Sequence, residues 1–86
     1  MTPSQFRAAR ALLDLNLQEM AKECGLGMAT IVRFEAGVNV TEKSILVMRA
    51  TLKRLGVTLI DADTLHGAGV RFAMPPDIEQ ASTVLH

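Results

Sequence analysis

The sequence predicts a mainly α fold, four α-helices followed by a C-terminal β-hairpin, and three observations predict it. Apolar residues recur at helical spacing in four successive segments between Pro3 and Leu55. These segments are punctuated by residues that start and stop helices: Thr2, Asn16, Gly27 and Thr41 precede them, and Gly25, Gly37 and Gly56 follow the last three. After Gly56 the pattern changes to the short β-branched runs Val57-Thr58-Leu59-Ile60 and Val70-Arg71-Phe72, separated by turn residues.

The first helix opens at Thr2-Pro3, because Thr is a good N-cap and Pro suits the first turn. Phe6, Ala9 and Leu13 then fall on one stripe, with Arg7 outside it. Asn16 and Glu19 form an N-x-x-E capping box for the second helix. Its buried stripe is Leu17, Met20, Ala21 and Cys24, with Lys22 outside. Gly25 ends it, since Gly tolerates the left-handed conformation past a helix end. Leu26 fills the corner, Gly27 starts the third helix, and Ile31 and Phe34 point inward before Glu35 closes it. After the short connection Val38-Asn39-Val40, Thr41 caps a fourth helix and Glu42 complements its dipole. Ile45, Met48, Leu52 and Leu55 form its buried face. Arg49, Lys53 and Arg54 are read as a solvated face near its C-terminal end.

The hairpin strands flank a long loop, in which Asp61, Asp63 and His66 read as turn residues. Two strands alone are marginal in water, so this hairpin needs either the helices or a second copy of itself. Pro75-Pro76 then breaks the chain. The division follows: 1–56 as the four-helix domain, 57–74 as the hairpin, and 75–86 as a tail or short helix.

With 86 residues the chain is one domain. A chain this short buries only about 60–65% of its unfolded surface, so its core is thin. The single cysteine, Cys24, excludes an internal disulfide and reads as a small core residue, and His66 and His86 have no metal-ligand spacing to it. Self-association is left as the natural supplement. The composition is 49% hydrophobic but only 3% aromatic, so the core is aliphatic. No signal peptide and no apolar run of about 18 residues is visible, so no membrane association is expected and the chain is expected to be soluble and cytoplasmic. No nucleophile–base pair, paired carboxylates or Gly-rich phosphate loop emerges, so neither enzymatic activity nor a cofactor is expected. The formal net charge is zero but unevenly spread. Residues 1–58 carry eight Lys and Arg against five Asp and Glu, net +3, and residues 59–86 carry net −3.

The segment from Asn16 to Gly37, NLQEMAKECGLGMATIVRFEAG, reads as two short amphipathic helices joined by a tight turn. It resembles the helix-turn-helix of the Cro/CI-like (XRE) repressor family, over roughly residues 3–56. The matching residues are Ala21, Gly25, Leu26, Thr30, Ile31, Arg33, Phe34, Glu35 and Gly37. Ala21 is small where the two helices cross, Gly25 permits the turn, and Leu26, Ile31 and Phe34 anchor the second helix. The resemblance implies a repressor-like DNA-binding domain at 1–56 and a structural ion pair between Arg10 and Glu35. The hairpin from Gly56 to Phe72 also looks like one that follows four helices in some compact bacterial members.

By the same resemblance the helix from Met28 to Glu35 enters the major groove of double-stranded DNA. Met28, Ala29, Val32 and Arg33 share its outward face. Arg33 is the expected guanine reader, Met28, Ala29 and Val32 suit thymine methyls, and Thr30 suits a base edge or phosphate. Backbone N–H groups at Gly27, with Arg7, Gln18, Lys22, Asn39, Thr41 and Lys43, are the phosphate candidates. Self-association is assigned to Val57, Leu59, Ile60, Val70 and Phe72, together with the apolar residues around the fourth helix. A homodimer would bind an inverted repeat with half-sites roughly 34 Å apart. It would act by occupying a promoter or by touching RNA polymerase or another regulator.

Family members often carry Ser, Arg or Gln at the positions of Gly27, Met28 and Ala29, and Gln at the position of Leu17. The apolar face here therefore keeps a second reading open, an adaptor or anti-repressor module that docks another protein through Met28, Ala29 and Val32.

Overall fold

Three of the four helices start on a side-chain cap, which is why their boundaries are sharp. The computed structural model describes residues 1–74, with helices α1 (Pro3–Leu12), α2 (Leu17–Cys24), α3 (Met28–Glu35) and α4 (Glu42–Arg54) and strands β1 (Val57–Ile60) and β2 (Gly69–Phe72). Thr2 and Gln5 form a capping box on α1, and Asn16 and Glu19 form the one on α2. The Thr41 hydroxyl accepts from the Ser44 N–H at the start of α4. Helix α3 begins at Gly27 with no side-chain cap. Gly25 ends α2 in the left-handed conformation, at φ 67°.

Each helix contributes its inward stripe to one core. Phe6 and Ala9 come from α1, Met20, Ala21 and Cys24 from α2, Ile31 and Phe34 from α3, Met48 and Leu52 from α4, and Val57 from β1. The core is mainly aliphatic around one aromatic pair. Phe6 meets Phe34 edge to face, with ring centres 5.7 Å apart and planes at 89°. Such a pair contributes about 1 kcal/mol beyond its burial.

The hairpin is antiparallel, with Val57 opposite Phe72, Thr58 opposite Arg71, Leu59 opposite Val70 and Ile60 opposite Gly69. Opposite residues share a face, so Val57, Leu59, Val70 and Phe72 lie on one side of the sheet. That side turns toward the helices: Val57 is 4% exposed in the core, and Leu59 and Val70 pack against it. This changes the expectation for self-association. The side chains of Val57, Leu59 and Val70 serve this chain's own core, Phe72 is half-buried on the same face, and Ile60 alone of the five stands on the outer face.

Gln5 clamps the hairpin to α1. Its side chain is 5% exposed, and Nε2 donates to the carbonyls of Ile60 at 3.0 Å and Gly69 at 3.1 Å, one from each strand. Its Oε1 accepts from the Thr2 N–H, so both ends of the buried amide are satisfied. The reading of 75–86 as a tail or short helix lies outside the described residues. Among the described residues, no helix is long and apolar enough to cross a membrane, and no group of His, Cys, Asp and Glu could hold a metal ion.

Candidate nucleic-acid interface

The α2–α3 corner is a short turn. The Leu26 N–H donates back to the Ala21 carbonyl at 3.0 Å, and Ala21 is buried beneath it. A larger side chain at Ala21 would push the two helices apart. Beyond the corner, α3 divides into two faces. Ile31, Phe34 and Glu35 are buried, whereas Met28, Ala29, Val32 and Arg33 are exposed and Thr30 is half-buried. The outward face is apolar along most of its length, with Met28 51% and Val32 42% exposed.

An open groove of about 520 Å³ runs between α3 and the start of α4, lined by Ala29, Thr30, Arg33, Asn39, Val40, Thr41 and Ser44. The fold thus gathers three base-reading candidates from α3 and two phosphate candidates from the connection to α4 into one concavity. No acidic side chain lines it. Lys43 is exposed in the first turn of α4, and Gln18 and Lys22 are exposed on α2. Gly27 offers uncapped backbone at the start of α3.

Arg7 stands apart from the other phosphate candidates. Its guanidinium donates to the Glu35 carbonyl, and its Nη2 donates to Ser4 Oγ at 3.1 Å. It is engaged within the chain at the end of α3. Arg10 and Glu35 form a two-pronged ion pair, Nε to Oε2 at 2.9 Å and Nη2 to Oε1 at 3.0 Å. Arg10 Nη1 also donates to the Leu15 carbonyl at 3.2 Å. Hydrogen bonding to Glu35 pushes the Arg10 pKa above its ordinary value, against the opposing effect of burial. Two cationic groups therefore hold the C-terminal end of α3, where carbonyl dipoles favour positive charge.

Two contributors were not singled out from the sequence, and a third has a partner the sequence did not show. Gln5 completes a Thr-x-x-Gln capping box, a signal that marks its local half only. Ser44 lines the groove and accepts from Thr41 Oγ1 at 2.9 Å, three residues after the cap. Arg54, read from the sequence as part of a solvated face, instead joins α4 to α2, with Nη2 on the Glu23 carboxylate at 3.0 Å and on its carbonyl at 3.1 Å. Cys24 is 8% exposed, and burial pushes its thiol pKa up, which suits a core residue.

A family model described as helix-turn-helix matches residues 6–61, from within α1 to just past β1. Among curated proteins none matches the chain.

Proposed function

The chain belongs to the Cro/CI-type (XRE) helix-turn-helix family of DNA-binding regulators, and from that premise we propose that it is a sequence-specific transcription repressor that binds double-stranded DNA as a homodimer. The observation that carries this reading is the free outward face of α3, which opens into a groove with the start of α4 that no acidic side chain lines. In this reading Arg33 holds O6 and N7 of a guanine, Met28, Ala29 and Val32 pack on thymine methyls, and Thr30 meets a base edge. Gln18, Lys22, Gly27, Asn39, Thr41 and Lys43 hold phosphates and set the register of the helix on the duplex. Residues 1–56 form the DNA-binding part and 57–74 the dimerisation element. Repression is steric, by occupation of a promoter, with contact to RNA polymerase or another regulator as the route to any activation.

Selection of duplexes from a random pool tests this directly. The expected product is an inverted repeat with half-sites about 10 base pairs apart. Recovery of no enriched sequence, with equal affinity for every duplex, would overturn the reading.

A second reading draws on the 51% and 42% exposure of Met28 and Val32. The same face would dock an apolar surface of another protein, as an adaptor or anti-repressor does. Duplex affinity separates the two, because phosphate-mediated binding falls steeply with salt whereas apolar docking does not.

A further inference from the structure

A second groove, of about 230 Å³, lies between α4 and β1 and shares no lining residue with the α3–α4 groove. Arg49 and Lys53 form one wall, and Val57, Thr58 and Leu59 form the other. The backbone edge that β1 presents is open at Leu59, which is half-buried, and covered at Val57, which is 4% exposed. The Ala73 N–H donates to the Gly56 carbonyl at 2.7 Å, which sets the alternation of the ladder. Thr58 and Ile60 therefore direct their N–H and C=O groups at β2, and Val57 and Leu59 direct theirs away from it. No hydrogen bond among the described residues engages the outward groups of Val57 or Leu59.

The hairpin tip carries the opposite character. Leu65 is 85% exposed, between Asp61 and Asp63 on one side and His66 on the other. The tip is held in shape by Asp63, whose Oδ1 accepts from the Leu65 N–H at 2.8 Å and the His66 N–H at 2.6 Å, while its own N–H donates to the His66 carbonyl at 2.8 Å. A large apolar side chain is thus presented to water on an ordered turn flanked by carboxylates. Little ordering remains to oppose its docking.

We propose that the α4–β1 groove receives the hairpin tip of a second copy of this chain, with Leu65 in the groove and Asp61 and Asp63 beside Arg49 and Lys53. The inference rests on the homodimer reading above and supplies its contact surface. Antiparallel pairing of β1 with the partner's β1 satisfies the outward groups of Leu59. The antiparallel direction also brings each tip to the C-terminal end of the other protomer's α4, where Lys53 stands. A two-fold axis makes the contact occur twice. Carboxylates meet cations in both copies, and the α3 face stays free for DNA.

Sedimentation equilibrium on the full chain tests the contact. The wild type is expected to dimerise, and Leu65→Ser to raise the dimer Kd by about tenfold or more, since the burial of two leucines is lost. An unchanged circular dichroism melt in the dissociated state would show that the chain still folds. Asp61→Lys and Lys53→Glu are each expected to weaken the dimer, and their combination to restore it, an outcome that general damage to the fold would not produce. A wild type that stays monomeric both alone and on its selected duplex would overturn the homodimer reading and this contact with it. A wild-type dimer whose Kd is indifferent to Leu65→Ser and to both charge reversals would overturn the groove contact and leave the dimer standing.

Discussion

Arg33 is the residue to which the proposed function assigns base discrimination. It is exposed and lines the α3–α4 groove, and its guanidinium makes no hydrogen bond to another described residue. Arg33→Ala is therefore expected to leave the melting transition unchanged. It should cost about 1–3 kcal/mol at the selected operator and flatten the preference at one base pair. Titration of the variant on the operator and on single-base variants checks this, and unaltered affinity and preference would remove Arg33 from the reading set. Asp63 has a different task. Hydrogen bonds from the Leu65 and His66 N–H groups hold its carboxyl pKa below the ordinary value. A depressed folded pKa stabilises the turn above the usual aspartate range, near pH 3.9, and the contribution is lost as pH falls through the lower folded value. The Leu65 and His66 amide resonances should accordingly titrate with a midpoint below that range, and a midpoint above it would contradict the turn geometry.

Helix α1 acts as a strut between the hairpin and the α3 helix. Gln5 holds both strands, and Arg7 and Arg10, farther along the same helix, hold the end of α3. Gln5→Ala removes the amide clamp and half of the capping box, and is expected to cost about 1–3 kcal/mol. Hydrogen exchange should rise first in β1 and β2 and leave the α2–α3 pair protected; uniform loss of protection would mean that the clamp is not local. Glu35→Ala strands Arg10, which is 23% exposed, beside an emptied partner position. About 3 kcal/mol of destabilisation is expected, at the low end for a broken buried pair because Arg10 keeps some water contact. Urea titration measures it, and a loss under about 1 kcal/mol would class the pair with surface ion pairs. The pair was legible beforehand only through the family resemblance, since 25 residues separate its members.

Over the whole molecule, a formal net charge of zero conceals a division of labour. The +3 half carries the elements proposed to face DNA, and acidic residues gather beyond β1. Duplex affinity is expected to fall with salt at a log–log slope of about −0.9 per phosphate contact, and Lys43→Ala to lower the slope by about one while weakening all sequences alike. Selective loss at one operator would instead make Lys43 a base reader. The hairpin illustrates the same scale. Two strands cannot stand alone in water, and the helices, through Val57, Leu59, Val70 and Gln5, meet most of that need. What is left for a second copy is the strand edge and the exposed tip.

The order and extent of the elements follow from local signals: Thr2, Asn16 and Thr41 start helices, Gly25 stops one, and apolar spacing selects the inward face of each. Those signals act between residues a few positions apart, so they are readable without the fold. Packing between elements alone shows that the apolar side of the hairpin faces its own helices, that Arg7 binds the end of α3, and that Gln5 reaches residues 55 and 64 positions away. Such contacts depend on how whole elements pack against one another, and local spacing carries no record of that.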